Sequence, residues 1–213
     1  MRATGTEHRS VLHTMRGRWL LMPLFALILL AAASATAAAQ QPQAYLVRLH
    51  GMITDHYAGA LKQRLNRAQE EGVNTVIIEL DTPGGTVKAS QDLGDFIFKK
   101  VDEGMNIVAY INTEAYSGGT MVALACSEIY IDADLGKMGD VAPISAGGQQ
   151  VGEKFQAPIR KVMENYADAR GYPKALVRAM VTQEIEVYRI RMQDEPQDRY
   201  SYVTEAQFST WSE

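Results

Sequence analysis

Two glycine turns, each set between a short apolar run and a helical pattern, constrain this chain more than any other feature. Asp81-Thr82-Pro83-Gly84-Gly85 follows residues 75–80 (TVIIEL), and Ala115-Tyr116-Ser117-Gly118-Gly119 follows residues 106–111 (NIVAYI). A strand that ends in glycines and turns into a helix leaves backbone N–H groups aimed at an open site. Two such turns facing each other hold an oxyanion between them, with the Ser117 hydroxyl at the mouth of the second.

Around these turns the periodicity alternates. Residues 43–50 read as a strand. Residues 57–71 read as a helix with Tyr57, Ala60, Leu61, Leu65 and Ala68 on one face, capped by Asp55 and ended by Gly72. The strand at 75–80 is apolar and β-branched enough to be buried on both faces. A helix over 87–101 follows, with Leu93, Phe96 and Ile97 on one side. After the strand at 106–111 come a short helix (117–126), a strand (128–131) and a loop (132–143). Residues 145–152 (SAGGQQVG) are small and polar, which predicts a mobile loop. Two helices come next. One spans 153–170, with Pro158 expected to kink it or delay its start and Gly171 to stop it. The other spans 173–181, with proline in its first turn. Runs at 186–192 and 200–204 close the pattern as strands. The order β-α-β-α-β-α-β predicts an α/β fold of mostly parallel strands joined by helical crossovers.

The first 39 residues stand outside that pattern. Arg2, Arg9, Arg16 and Arg18 precede an apolar run over 19–32, and residues 33–39 (ASATAAA) offer small-x-small cleavage sites. This is the layout of a secretory signal peptide, leaving residues 40–213 as an exported, extracytoplasmic domain. The rival reading is a retained anchor, because 19–39 is 21 residues and just long enough to span a bilayer. Removing the segment takes four of 21 basic and one of 25 acidic residues, leaving 17 against 24 and a net charge of −7. An acidic domain has no surface for nucleic acid, which requires a basic one. Cys126 is the single cysteine, so no intramolecular disulfide or cysteine metal cluster exists. Its apolar run, 121–126, marks it as a small core residue.

A serine hydroxyl is a weak nucleophile until a base takes its proton. All four histidines precede Asp81: His8 and His13 lie in the signal segment, and His50 and His56 read as solvated or capping residues. Lysine is the other known partner of a catalytic serine. Downstream of Ser117 stand Lys137, Lys154, Lys161 and Lys174. A lysine base must be neutral, and bringing its usual pKa of about 10.4 to roughly 7–8 needs about 4 kcal/mol of differential desolvation. Lys154 follows the glycine-rich loop beside Val151 and Phe155. Lys161 adjoins Arg160, a like charge on a wetter face. Composition leaves both open. Nothing in the pattern calls for a cofactor or a metal.

Three motifs carry a family resemblance. They are Leu80-Asp81-Thr82-Pro83-Gly84-Gly85, Tyr116-Ser117-Gly118-Gly119-Thr120 with Ala123 and Ala125, and Met138-Gly139-Asp140-Val141-Ala142-Pro143. Over about residues 43–181 the chain resembles the ClpP-class membrane serine proteases of the nodulation-efficiency-D (NfeD) type, with the motifs in family order and spacing. The resemblance implies a ClpP/crotonase-like fold and peptide-bond cleavage by a Ser-Lys dyad. By it Ser117 matches the nucleophile. Counting back from Gly171 puts Lys154, not Lys161, at the base position. Gly84 and Gly85 match the turn that lends N–H to the oxyanion, and Gly118 supplies the second donor. Typical members read Ser-Ala-Gly where this chain has Ser117-Gly118-Gly119, and Gly171-Tyr172-Pro173 lacks the usual Arg-Asn.

The resemblance further implies membrane association, hydrophobic stretches of membrane-associated proteins as peptide or protein substrates, and stomatin-like proteins as partners. The expected assembly is a homo-oligomer, a dimer or larger. An extended peptide is expected to pair with the backbone around Thr86-Val87. Long members continue into membrane helices and a small β-barrel, so this chain reads either as a fragment of a longer membrane protein or as a short form. Two alternatives share the fold: a crotonase-type acyl-CoA enzyme, which export and the serine–lysine pair disfavour, and a non-catalytic scaffold.

Overall fold

A computed structural model describes residues 44–145, 147–191 and 199–211. The expected signal segment and the last residue of the expected strand at 186–192 lie outside them. The central sheet is parallel, in the order β1 (Ala44–His50), β2 (Thr75–Thr82), β3 (Asn106–Tyr116), β4 (Glu128–Ile131), with β5 (Lys137–Gly139) also paired to β3. β4 takes residues 108–111 of β3 and β5 takes residues 114–116. β3 therefore runs well past the expected 106–111. Its polar stretch Asn112-Thr113-Glu114 gives no strand signal, and the pairing comes from residues that read as loop.

The register of β2 against β3 is regular from Thr75↔Asn106 to Leu80↔Ile111 and resumes at Thr82↔Ala115. The ladder thus carries two extra residues on β3 just before both glycine turns, and such an irregularity re-aims the chain beyond it. β6 (Val187–Ile190) and β7 (Ser201–Thr204) form a separate antiparallel pair, followed by one last short helix at Glu205–Trp211.

α1 (Asp55–Glu70) is capped by Thr54, whose hydroxyl accepts from the Tyr57 N–H at 3.2 Å, so Asp55 is its first residue and not its cap. Ala58, Leu61, Leu65 and Ala68 face the core at helical spacing, while Ala60 faces solvent. Gly72, at φ 74°, closes the end: its N–H reaches Gln69 O and that of Val73 reaches Ala68 O. α2 (Val87–Asp102) buries Leu93 and Ile97. α4 (Glu153–Arg170) starts where expected, undelayed by Pro158, and stops at left-handed Gly171. α5 (Lys174–Val181) follows Pro173, which stands at the cap and not inside the helix.

The core lies on one side of the sheet. Val47, Leu49, Val76, Ile78, Leu80, Ile107, Ala109 and Ile111 point there, against the buried faces of the helices. Each valine, leucine or isoleucine among them is worth about 1.5–3 kcal/mol relative to exposure. The opposite side is only half-covered at Ile77, Glu79, Val108 and Tyr110, and Leu46 and Tyr130 stand exposed. β2 is therefore not buried on both faces as expected. Glu79, inside the apolar run, marks the open side: its carboxylate accepts from Arg48 Nε at 3.0 Å and Asn112 Nδ2 at 3.2 Å. The Arg48 guanidinium holds that carboxyl below the usual range.

α3 (Gly118–Ala125) differs from the other described helices. All eight of its residues are buried, as expected for a helix that is apolar all round. Cys126, at its end, is fully buried, and desolvation pushes its thiol up to about 12.

Candidate active site

Ser117 sits at the junction of β3 and α3 with φ 51° and ψ −116°. A side-chain-bearing residue at positive φ costs on the order of 1–3 kcal/mol and persists only where its surroundings enforce it. Here they do. The Ser117 N–H donates to Gly139 O at 2.9 Å, and its carbonyl accepts from the Met121 N–H at 3.3 Å. Buried Thr120 donates its hydroxyl to Ala115 O at 2.6 Å and accepts from the Gly139 N–H at 2.8 Å. The third motif, through Gly139, thus clamps the turn that carries the serine.

The first glycine turn is held the same way. The Thr82 hydroxyl donates to Gly51 O at 2.6 Å and accepts from the Gly84 N–H at 3.0 Å. Ile53 runs beside the turn: its N–H reaches Gly84 O at 2.8 Å, and its carbonyl takes the Thr86 N–H at 3.2 Å. A Cβ on Gly85 would stand 2.0 Å from Ile53 O, so only glycine fits there. These bonds leave the Gly85 N–H uncommitted among the described residues. They also use the backbone where a substrate strand was expected. Thr86 is the cap of α2 and Val87 its first residue, so the stretch around Thr86-Val87 offers no free strand edge.

The two turns touch. A Cβ on Gly84, which lies at φ 99°, would come within 2.7 Å of Ser117 Cβ and 2.9 Å of Gly118 N. Gly118 opens α3, so its N–H is among those a helix start leaves without an internal partner. The serine, two uncommitted amides and a helix N-terminus therefore share one place, which suits a developing negative charge. Gly85, Val87, Ser90, Ser117, Gly118, Met121, Val141, Pro143 and Ile159 line a cleft of about 20 Å³ there. Its walls are apolar apart from Ser117 and Ser90.

Lys154 does not line that cleft. It is exposed in the first turn of α4, and the same helix contributes Ile159 instead. The start of α4 is nevertheless well anchored. Gln156 Nε2 donates to Val151 O at 2.7 Å, and Thr182 Oγ1 donates to Gln156 Oε1 at 3.1 Å. Arg160 bonds both Thr182 and Glu153, holding the Glu153 carboxyl below its ordinary value. Pro158 has no N–H for the Lys154 carbonyl four residues back. Lys161 lines a different and larger cavity, about 490 Å³, with Arg160, Glu164 and Arg178 between α4 and α5. That cavity has volume but neither Ser117 nor a glycine turn on its wall. His50 lies 3.7 Å from Glu79, and neither it nor His56 lines the serine cleft.

Sequence reasoning gave Thr82 and Thr120 no role beyond their place in the motifs and missed Ser90; all three are buried. For Thr120, a hydroxyl inside the otherwise apolar run of α3 is the available signal, since such a buried group must find a partner. Ser90 also accounts for the departure at Gly118, where an alanine Cβ would fall 2.0 Å from Ser90 Oγ and 2.6 Å from its Cβ. Among the described residues no group of three or more His, Cys, Asp or Glu side chains is placed to hold a metal, and no helix is long and apolar enough to cross a membrane.

Residues 43–204 match the family model described as NfeD1b, N-terminal domain. The membrane protein NfeD1b of Bacillus subtilis (strain 168) is 28% identical over 154 residues, which is 72% of this chain and 34% of that protein. The protein slr0021 of Synechocystis sp., a candidate protease by its name, is 28% identical over 83 residues, 39% of this chain and 30% of its own. The chain thus spans about a third of the length of these curated relatives. Among solved structures, a lysine-to-alanine variant of the 1510-N membrane-bound stomatin-specific protease, in complex with a substrate peptide, superposes with a TM-score of 0.61 at 21% identity, covering 68% of each chain. A serine-to-alanine variant of the same protease gives 0.60 at 21%, covering 68% of this chain and 72% of that one. At that identity the likeness speaks for the fold, a ClpP-like α/β domain with a mainly parallel sheet.

Proposed function

The chain belongs to the family of the NfeD1b N-terminal domain, and from that premise we propose that it is a serine endopeptidase working from Ser117. One observation carries the proposal: Ser117 is held at φ 51° at a helix N-terminus, against a second glycine turn with an uncommitted N–H. A strained, over-determined backbone at a cleft is the signature of a preorganised nucleophile.

Ser117 Oγ attacks the scissile carbonyl. The neutral Lys154 amine takes the hydroxyl proton and returns it to the leaving amine, and water then repeats the cycle on the acyl-enzyme. The Gly85 and Gly118 N–H groups, on turns shaped by Gly84, hold the oxyanion. Lys154 is exposed, so its side chain turns toward Ser117 when substrate covers the cleft and expels water. The apolar walls formed by Val87, Met121, Val141, Pro143 and Ile159 suit hydrophobic segments of membrane-associated proteins, and stomatin-like proteins are the proposed partners. The working form is an exported, membrane-associated homo-oligomer acting on the periplasmic side.

A fluorophosphonate probe tests this reading. Covalent labelling at Ser117, abolished in Ser117→Ala, supports it. An unlabelled protein that still binds hydrophobic peptides would make the chain a scaffold of the same fold.

A further inference from the structure

Ser90 is a buried side chain that the mechanism above leaves unused. It lies on α2 with 1% of its surface exposed, and its hydroxyl has no hydrogen-bond partner among the described residues. Such an orphan is uncommon, because a buried donor left unmade costs on the order of 1–3 kcal/mol. Its position gives the reason it persists. Ser90 lines the serine cleft beside Gly85 and Gly118. Its Oγ occupies the place a Gly118 Cβ would take, 2.0 Å from that point, and the same point is 3.5 Å from Gly85 N. The hydroxyl thus borders the cleft lined by the two glycines whose amides are uncommitted, and among the described residues apart from Ser117 no other side chain lining that cleft is polar.

We infer that Ser90 is a third oxyanion donor. Its O–H points at the carbonyl oxygen of the scissile bond and strengthens that bond as the oxygen becomes negative in the tetrahedral intermediate. This rests on the reading of Ser117 as nucleophile. It assigns the charge stabilisation to a side chain as well as to backbone. It also gives Gly118 a function, since a Cβ there would displace the hydroxyl. In the free protein the donor is unsatisfied, and substrate supplies the missing acceptor.

The test is Ser90→Ala in the full chain, read by peptide turnover, by fluorophosphonate labelling of Ser117 and by thermal unfolding. Alanine keeps the helix and removes only the orphan hydroxyl, so stability should stay level or rise. Loss of an oxyanion donor should instead lower kcat by roughly tenfold to a hundredfold, with KM changed by less than about twofold. Opposite movement of stability and kcat is what a packing role does not produce. Ser90→Cys, a weaker donor of similar shape, should fall between the two. If the wild type labels at Ser117 and Ser90→Ala keeps the wild-type kcat, the third donor is overturned while the nucleophile stands. If the wild type does not label at Ser117, the peptidase reading fails and takes this inference with it.

Discussion

The serine turn and the start of α4 carry the two halves of the proposed dyad, and they are built in opposite ways. Around Ser117 the backbone is held from every side, with only the amides and the Ser90 hydroxyl of the cleft left open: α3 is wholly buried, Thr82 and Thr120 bind the turns, and Ile53 and Gly139 brace them from outside. At Lys154 the backbone is anchored through Gln156 and Arg160, yet the side chain points to solvent and no ion pair or hydrogen bond among the described residues engages it. A nucleophile and its oxyanion hole need preorganisation to within fractions of an ångström, and folding energy supplies it. A lysine base needs desolvation, and holding it buried and unpaired in the free protein would be costly. In the proposed dyad the core therefore sets the first half, and substrate completes the second.

The sharpest way to break this contrast is at the two side chains. Ser117→Ala should lower peptide turnover by about 10⁴-fold or more while the fold survives. Ser117→Gly should be equally inactive and more stable by about 1 kcal/mol, because glycine relieves the positive φ. Urea unfolding of both variants checks the strain. Residual turnover near wild type in either one removes Ser117 from the chemistry.

Lys154→Arg comes next. A guanidinium does not give up its proton near neutral pH, so turnover should drop roughly a hundredfold or more. Stability should stay within about 0.5 kcal/mol, because the side chain is exposed. Lys161→Arg should be tolerated. An inactive Lys161→Arg beside an active Lys154→Arg would move the base to the other cavity and redraw the dyad.

Two glycine substitutions then compare the regions by stability alone. Gly85→Ala places a Cβ 2.0 Å from a backbone oxygen, and should cost about 3 kcal/mol or more in urea unfolding. Gly152→Ala, at the cap of α4, meets nothing within 4 Å at an ordinary φ of −68°. It should cost less than about 1 kcal/mol, the small loss expected when alanine replaces glycine at a helix N-cap. Equal costs at the two sites would mean that the first turn is no tighter than the second region.

The smallest effect is chemical. Cys126 closes the buried helix, its thiol raised to about 12 from an ordinary 9.0 by desolvation. It should resist iodoacetamide in the folded protein, whereas Lys154→Cys should add a thiol alkylated at the rate of a free cysteine. Because the folded value is raised, the contribution of Cys126 to stability is complete below about pH 9 and is lost as pH rises through about 12. Unfolding curves of wild type and Cys126→Ala should accordingly converge in shape below pH 9 and part above it.

Local pattern was enough for most elements. The helix at Glu153–Arg170 and the strand at Glu128–Ile131 have the boundaries their periodicity and glycine stops indicate. The two glycine turns were legible because glycine before a helix has a strong steric meaning on its own. The second half of β3 and all of β5 were not, since Glu114-Ala115-Tyr116 and Lys137-Met138-Gly139 become strands only by pairing with each other. The open face of β2 was misread because an apolar run looks alike whether one side or both are covered; Glu79 was the only local sign.

What the sequence by itself determined is the alternation of elements, the two turns that face the site and the serine placed at the mouth of the second, all set by steric and periodic rules acting within a few residues. Only the tertiary structure decided that Ile53 closes the edge beside Gly85, that Ser90 fills the space left by Gly118, and that Lys154 faces water. Each of those depends on residues distant in the chain being brought together by a shared core, and no local rule encodes which side of a helix the packed neighbours will leave open.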